Sequence, residues 1–519
     1  MIALLCTLMA GHILLHPSAF PYTPDSASYF EQARTLLTDG AALETPYAPN
    51  HEARQPSRLF PIGYPVILAS IGLAGIDPRD ASLALTWAAA LLLPILLFVS
   101  FRKPLGARYA VVLAAFSLTS PSTLSYSTLG TSDLLALLLA VATAGIVLNK
   151  SSRSWLVLAG VIGGGAYAVR NAQLALLLSI ALYYGYLWFS RTTSRRETLR
   201  DAVAFGCGAS LVCLPVLVRN EILFGTFNPY HMAPSTISAL HNIRTFLQEM
   251  FYDLSGLRSL GVHLGWSAIG LLIMLCLAAG MVWRLSTAWH VFSPLRKNAL
   301  ILSATYAIIS ASVVIAARTR YEWGEMINIR HTLQITPFLW VIILGLLPDA
   351  PLRSSRWHAG IATLFLFIMG ILHVNYAVKP RDLLLQQARG AEAIAVFHEG
   401  KAFLCPHDAA TATASNWGYV FRIACNTGTR NIEMEAYSCS ANPPYTLGWA
   451  TECKAIAGAA MQTAHQLIGH PIKIGLFPGR GMDPGALPLS PNVTAQLEQS
   501  GFNINRNDAQ GLLLSRQTR

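Results

Sequence analysis

Charge is what this sequence has least of. Acidic and basic residues together make up 12% of its 519 residues, about half the share found in soluble domains, and the mean hydropathy is +0.45. A water-soluble globule of this length is therefore excluded. No C-x-x-C pair and no H-E-x-x-H helix occurs, so neither a zinc ribbon nor a zinc-protease centre is present. No internal repeat is visible, and the ionisable residues avoid the middles of the apolar runs. Both facts argue against a transporter built from related halves around a charged centre.

What is present is a series of apolar runs. The first, 2–15, is short for a span but lacks the basic leader of a signal peptide. Others follow at 81–101, 109–124, 134–148, 155–169, 174–189, 202–218, 264–283, 300–316, 333–347 and 358–374. The expected fold class is an all-α polytopic membrane protein of about eleven transmembrane helices. The net charge of +11 sits in the breaks between these runs. It reads as topology signal and phosphate-ligand supply, with no nucleic-acid partner.

Loop charges set the orientation. Arg102, Lys103, Arg108, Lys150, Arg153, Arg191, Arg195, Arg196, Arg200, Arg284, Arg296, Lys297, Arg353 and Arg356 mark the cytoplasmic loops. The opposite face then holds a first outer loop, 17–60, together with 219–263, 318–331 and the tail. Two domains are expected: a transmembrane catalytic domain, 1–378, and a soluble extracytoplasmic α/β domain, 379–519. In the tail 388–398 and 451–469 read as helices, and 402–405, 472–477 and 511–515 as strands. Four of the eight cysteines, Cys405, Cys425, Cys439 and Cys453, fall in this tail. An even number in one polar region suggests disulfides and an oxidising compartment; Cys405–Cys425 and Cys439–Cys453 are the candidate pairs.

Directly after the first apolar run comes Pro21-Tyr-Thr-Pro-Asp-Ser-Ala-Ser-Tyr-Phe-Glu-Gln-Ala-Arg34. Thr23 is suited to cap a helix, Pro24 to begin it, and Asp25 falls in its first turn. Tyr29, Ala33, Leu36 and Leu37 form an apolar stripe, so an amphipathic helix on the membrane surface is expected. A second surface helix is expected around 61–73. A carboxylate at the water boundary suits a general base, while an acid in a first helical turn is also favoured by the macrodipole alone. The residues themselves leave both readings open.

The outer loops also carry Arg54, Arg58, Arg170, Arg219, Arg244, Arg258, Arg318, Arg320 and Arg330. Guanidinium groups suit bidentate phosphate binding; the alternative is that they snorkel from helix ends or pair with Glu221, Glu322 and Glu325. His231, His263 and His331 lie on the same face, where single histidines near helix ends are ordinarily structural.

These motifs occur in a recognisable order. The first-loop Asp25-Ser-Ala-Ser-Tyr-Phe-Glu is followed by Pro61-Ile-Gly-Tyr-Pro65, Thr131-Ser-Asp133, Val169-Arg-Asn171, Val218-Arg-Asn220 and Arg318-Thr-Arg-Tyr321. Over about residues 1–375 the chain resembles the GT-C glycosyltransferase superfamily, especially bacterial relatives of the aminoarabinose and protein O-mannosyl transferases. The resemblance implies an integral protein of the bacterial inner membrane. It implies transfer of a sugar from a polyprenyl-phosphate donor to a glycan, lipid or protein acceptor on the outer face. Asp25 takes the place of the catalytic carboxylate, accepting the acceptor's proton as the sugar inverts. Arg58, Arg320, Arg219 and Arg170, with Tyr321, become candidates for the donor phosphate. Asp133 matches a second acidic motif, which would bind sugar hydroxyls, tune Asp25 or ligate a divalent cation; its other reading is a cap for the span from Leu134. Tyr29, Tyr64 and Tyr321 are candidates to stack on sugar or lipid, or to anchor at the interface. The sequence departs from the family where Ser26 replaces a neighbouring acid, and the tail lacks the domain expected of a protein mannosyltransferase. The second departure weakens a protein acceptor and favours a bacterial glycan or lipid. The rival reactions are an O-antigen-type polymerase or ligase using a lipid diphosphate and, less well supported, a lipid-sugar transporter.

Overall fold

The computed structural model describes residues 1–44, 54–190, 194–230, 234–257, 286–287, 289–321, 327–347, 356–405, 412–425, 431–433, 471–477 and 487–516. The expected span at 264–283, the helix at 451–469, Cys276, Cys439, Cys453, Arg191, Arg258, Arg284, Arg353, His231, His263, Glu322 and Glu325 lie outside the described residues.

Apolar runs become helices, several of them opened by a serine cap or a proline. In chain order they are α1 (Ile2–Leu15), α2 (Pro24–Asp39), α3 (Gly63–Gly72), α4 (Pro78–Leu105), α5 (Ala107–Leu118), α6 (Pro121–Tyr126), α7 (Asp133–Asn149), α8 (Arg153–Val169), α9 (Leu174–Ser190) and α10 (Arg195–Phe224). Then follow α11 (Ala239–Ser255), α12 (Pro294–Arg320), α13 (Ile329–Thr332), α14 (Thr336–Leu346), α15 (Arg356–Val378), α16 (Arg381–Leu404), α17 (Gly418–Ala424) and α18 (Pro491–Gln499). Ser194, Ser238 and Ser293 each accept a backbone N–H at the start of α10, α11 and α12, which satisfies donors that a helix start leaves unpaired. Among the described residues four helical stretches are long and apolar enough to cross a membrane: Pro78–Leu105, Asn171–Ser190, Arg195–Phe224 and Pro294–Arg320. Six shorter apolar helices of 10–17 residues accompany them.

The expected single span at 109–124 is instead two helices. Ser120 adopts ψ 143°, Pro121 opens α6, and the Ser120 hydroxyl caps Thr123. A residue before proline is pushed out of the helical region, so the chain turns here. The resulting short helix, α6, is buried throughout.

Two compact units divide the chain, and neither is continuous in sequence. The first comprises Met1–Pro17, Pro61–Tyr64 and Ser82–Leu385. Its tightest crossing is α8 on α10, where a Cβ added at Gly160 would strike the Phe205 carbonyl and one at Gly208 the Val157 carbonyl. Small residues that let helix backbones touch are a recurring device in lipid, where water does not drive association. Around Trp340, Phe116 stacks on His373 at 4.9 Å, and the His373 ring joins Thr119 Oγ1 to the Leu254 carbonyl.

The second unit comprises Ser18–Phe60, Pro65–Ala81 and Gln386–Arg519. It contains a five-stranded sheet of β1 (Ala412–Ser415), β2 (Asn431–Glu433), β3 (Ile472–Leu476), β4 (Asn503–Asp508) and β5 (Gly511–Arg516), in the order β2-β1-β3-β5-β4. β1 runs parallel to β2 and β3, while β5 runs antiparallel to β3 and β4. Asp508 closes the β4–β5 hairpin by accepting the Gln510 and Gly511 amides. The strand expected at 402–405 is the last turn of α16, because an apolar run that short does not distinguish strand from helix. Cys405 and Cys425 are joined by a disulfide, with Cα atoms 5.3 Å apart.

The second unit also holds α2, which is buried on more than its apolar face. Ser26, Ala27, Ser28, Tyr29, Phe30, Gln32, Ala33 and Thr35 are all buried, so the polar face is covered as well as the apolar stripe. Hydrophobic periodicity identifies one packed face and is silent about a polar face that other segments cover through ion pairs.

Candidate active site

In the first unit, sequence-distant charges converge on Asp133. Its carboxylate is fully buried at the first residue of α7, following Ser132 in the cap position. Asp133 is therefore not the helix cap. Arg170 ends α8 in extended conformation and brings Nη1 to 2.5 Å from Asp133 Oδ1. Arg330 lies on α13, a single turn started by Asn328, whose side-chain oxygen accepts the Arg330 amide. It donates through Nε and Nη2 to the two carboxylate oxygens, each at 3.2 Å. Such a fork is the strongest geometry an arginine offers a carboxylate. Gln334 donates to the Asp133 carbonyl at 2.8 Å, Gln173 donates to Gln334, and Tyr306 donates to Gln173.

A third guanidinium adjoins this group. Arg318 Nη2 approaches His331 Nε2 at 2.5 Å. Burial, then the charges of Arg318, Arg330 and Arg170, hold the His331 pKa well below its ordinary value, so the ring is neutral and accepts. Arg170 and Arg330 thus meet on the single carboxylate of Asp133, and Arg318 adjoins them through His331.

Behind it, Asp253 ties four helices together. Its carboxylate accepts from the Ser122 amide at 2.8 Å, the Ser122 hydroxyl at 2.7 Å, Thr332 at 2.9 Å and Thr336 at 2.5 Å. Burial pushes its pKa up, against the pull of those donors. Asp253→Ala would leave these buried donors without their acceptor. It is expected to cost about 3 kcal/mol and to lower the melting temperature in detergent, with Asp253→Asn losing less.

In the second unit, α2 presents Asp25 from its first turn. Thr23 and Ser26 form a reciprocal cap, with the Thr23 amide donating to Ser26 Oγ at 3.1 Å and the Ser26 amide to the Thr23 carbonyl at 3.0 Å. Asp25 is half-buried. Further along, Glu31 pairs with Arg422 and Arg54, Gln32 donates to Glu44 at 3.1 Å, and Arg34 pairs with Asp77 at 3.4 Å. Burial raises the Glu44 pKa despite hydrogen bonds from Ser57 and Ser28 and the charge of Arg422.

The remaining sequence candidates have varied surroundings. Arg58 is exposed. Arg219 is half-buried over the Phe224 ring and donates to Asn220. Arg320 is exposed over Tyr321, whose ring packs on Tyr230 at 5.5 Å. Tyr64 is fully buried with its hydroxyl 2.8 Å from Ser82, and Tyr29 is buried against Phe60. Neither tyrosine offers an exposed ring face to a sugar. In the sequence Arg318 and Arg330 are two of several outer arginines with little to set them apart, and neither Asp253 nor Arg422 lies in a recognisable motif. The one local signal was Asn328, a capping residue just ahead of Arg330 and His331.

Among the described residues, no three of His, Cys, Asp and Glu come together as a metal site, and the Asp133 oxygens are already taken by guanidiniums. These side chains do not fit the divalent cation that the resemblance left open.

Residues 66–219 match the profile of the dolichyl-phosphate-mannose-protein mannosyltransferase family. That stretch includes Asp133 and Arg170 but neither Asp25 nor Arg330. No curated protein sequence matches this one. Among solved structures, ArnT from Cupriavidus metallidurans bound to undecaprenyl phosphate aligns with a TM-score of 0.59 at 13% identity, over 99% of this chain and 97% of that one. The chain has a GT-C fold. Arabinofuranosyltransferase AftD from Mycobacteria aligns with a TM-score of 0.51 at 13% identity, over all of this chain (100%) and 40% of that one. The apo oligosaccharyltransferase of Archaeoglobus fulgidus aligns at 0.50 and 11% identity, over 91% and 69%. At such identities the likeness concerns the GT-C fold itself, and roles for individual residues have to rest on their own chemistry.

Proposed function

We propose that the chain is an inverting glycosyltransferase of the inner membrane. It moves a sugar from a polyprenyl-phosphate donor to a cell-envelope glycan, lipid or protein at the outer face. The carrying observation is the gathering of Arg170, Arg330 and Arg318 about Asp133 and His331. Arg170 and Arg330 meet on one buried carboxylate, and Arg318 adjoins them through His331, a gathering of cations suited to a lipid phosphate. The GT-C fold, and its occurrence in a protein bound to undecaprenyl phosphate, supports the same donor class.

In the proposed reaction the acceptor oxygen attacks the anomeric carbon as Asp25 takes its proton. The bond from that carbon to the phosphate oxygen breaks, and the lipid phosphate departs with the electron pair. Within the first unit, Arg170, Arg330 and Arg318 are the cations proposed for the donor phosphate. Single displacement inverts the anomeric centre. The Cys405–Cys425 disulfide supports an oxidising, extracytoplasmic location for the second unit.

Purified protein supplied with polyprenyl-monophosphate sugars is expected to release polyprenyl monophosphate and to form a product of opposite anomeric configuration. Mass spectrometry of the lipid and NMR of the glycoside read both outcomes. Efficient transfer from a lipid diphosphate oligosaccharide, with monophosphate donors inert, would overturn the assignment in favour of a polymerase or ligase.

A further inference from the structure

We infer that Arg422 is a positioning residue, one that fixes how α2 is turned about its axis and so where α2 holds Asp25. This rests on the reading of Asp25 as the base. The Arg422 side chain is only 6% exposed, and its Nη2 lies 2.5 Å from Glu31 Oε2. The other oxygen of Glu31 faces Arg54 Nε at 3.3 Å. Two guanidiniums from separate segments thus grip one carboxylate from two directions.

The contact belongs to a wider seam within the second unit. Tyr419, one turn before Arg422 on α17, meets Phe20 edge to face at 6.0 Å, and Gly390 of α16 approaches the backbone of Phe20 closely enough that a Cβ there would stand 3.1 Å from its nitrogen. Cys425 follows α17 directly and is bonded to Cys405 just beyond α16. The disulfide therefore ties the end of the short helix that carries Arg422 to the longer helix beside it.

A buried ion pair adds little stability over an apolar pair of similar size, but it does specify one geometry. Geometry is what a base requires. A side chain sits about 6 Å from its helix axis, so a roll of about 10° moves it by about 1 Å. A displacement of that size can cost on the order of 100-fold in rate. Glu31 lies six residues beyond Asp25, about 9 Å along the axis, so the grip acts through the rigidity of the helix and touches no reacting atom.

The test uses the full chain in detergent or nanodiscs. Arg422→Ala is expected to lower kcat about 10- to 100-fold, to leave the donor KM within about twofold, and to speed amide exchange in α2. Arg422→Lys, which keeps the charge without the planar fork, is expected to recover part of the kcat. Wild-type kcat in Arg422→Ala would overturn the inference. So would a kcat loss with faster exchange across the whole second unit and no recovery by lysine, since that is the behaviour of a merely structural residue. Exchange is read without turnover. Faster α2 exchange in Arg422→Ala, alongside a fully active Asp25→Asn, would therefore sink the base assignment separately.

Discussion

Asp25→Asn is expected to reduce turnover by about 100- to 10,000-fold while leaving the donor KM close to wild type. Asparagine keeps the size and one hydrogen-bonding oxygen of the carboxylate but has no basicity, so the acceptor hydroxyl must attack without losing its proton. The competing role for Asp25 is that of an acid in a first helical turn, which is worth about 0.3–1 kcal/mol. The reciprocal cap of Thr23 and Ser26 remains in the variant, so α2 keeps its start either way. Steady-state kinetics and a melting curve then separate the two roles. A base predicts a large loss of kcat with little change in melting temperature; a macrodipole acid predicts a small melting shift and ordinary turnover. Wild-type turnover in Asp25→Asn would end the proposed mechanism.

Asp133→Ala is expected to be the most damaging single change to the first unit, at about 3–5 kcal/mol. The carboxylate is fully buried and receives Arg170 and both forks of Arg330. Removing it takes from two guanidiniums the buried carboxylate on which they meet, and the loss of that pairing is the larger part of the cost. Arg330→Ala behaves differently. It leaves Asp133 paired with Arg170, a neutral couple, so the loss of stability is smaller. One guanidinium of the cluster is lost, however, and the donor KM is expected to rise about tenfold or more, or about 1.4 kcal/mol of lost binding. Thermal melting and donor titration on the two variants give opposite orders of severity. If Arg330→Ala leaves the KM unchanged, the cluster serves only to hold the helices and the donor phosphate binds elsewhere.

The residues that converge on Asp133 show why one sequence carries only part of this. Arg330 lies 197 positions from Asp133, and nothing local distinguishes it from the other outer arginines. Arg219 and Arg320 occupy equally suggestive loop positions, yet their described contacts are with Phe224, Asn220 and Tyr321. The break at Ser120-Pro121 was legible in principle, since proline restricts the residue before it, but a continuous apolar run outweighed that signal. Tyr64 and Tyr29 read equally well as interfacial anchors or as core, because an aromatic ring with one polar atom suits both settings.

Composition and periodicity alone determined that this chain is a helical membrane protein, where most of its helices run, and that Asp25 opens a capped helix. These properties come from solvation and from the backbone's local hydrogen bonding, and both act over a few residues. Only the tertiary structure decided which charges meet. It placed Arg330 and Arg170 on Asp133, gave Asp253 its four donors, and covered the polar face of α2 with Arg422 and Glu44. Ion pairing in a buried setting depends on distances of a few ångströms between residues hundreds of positions apart, and that proximity has no periodic trace in the sequence.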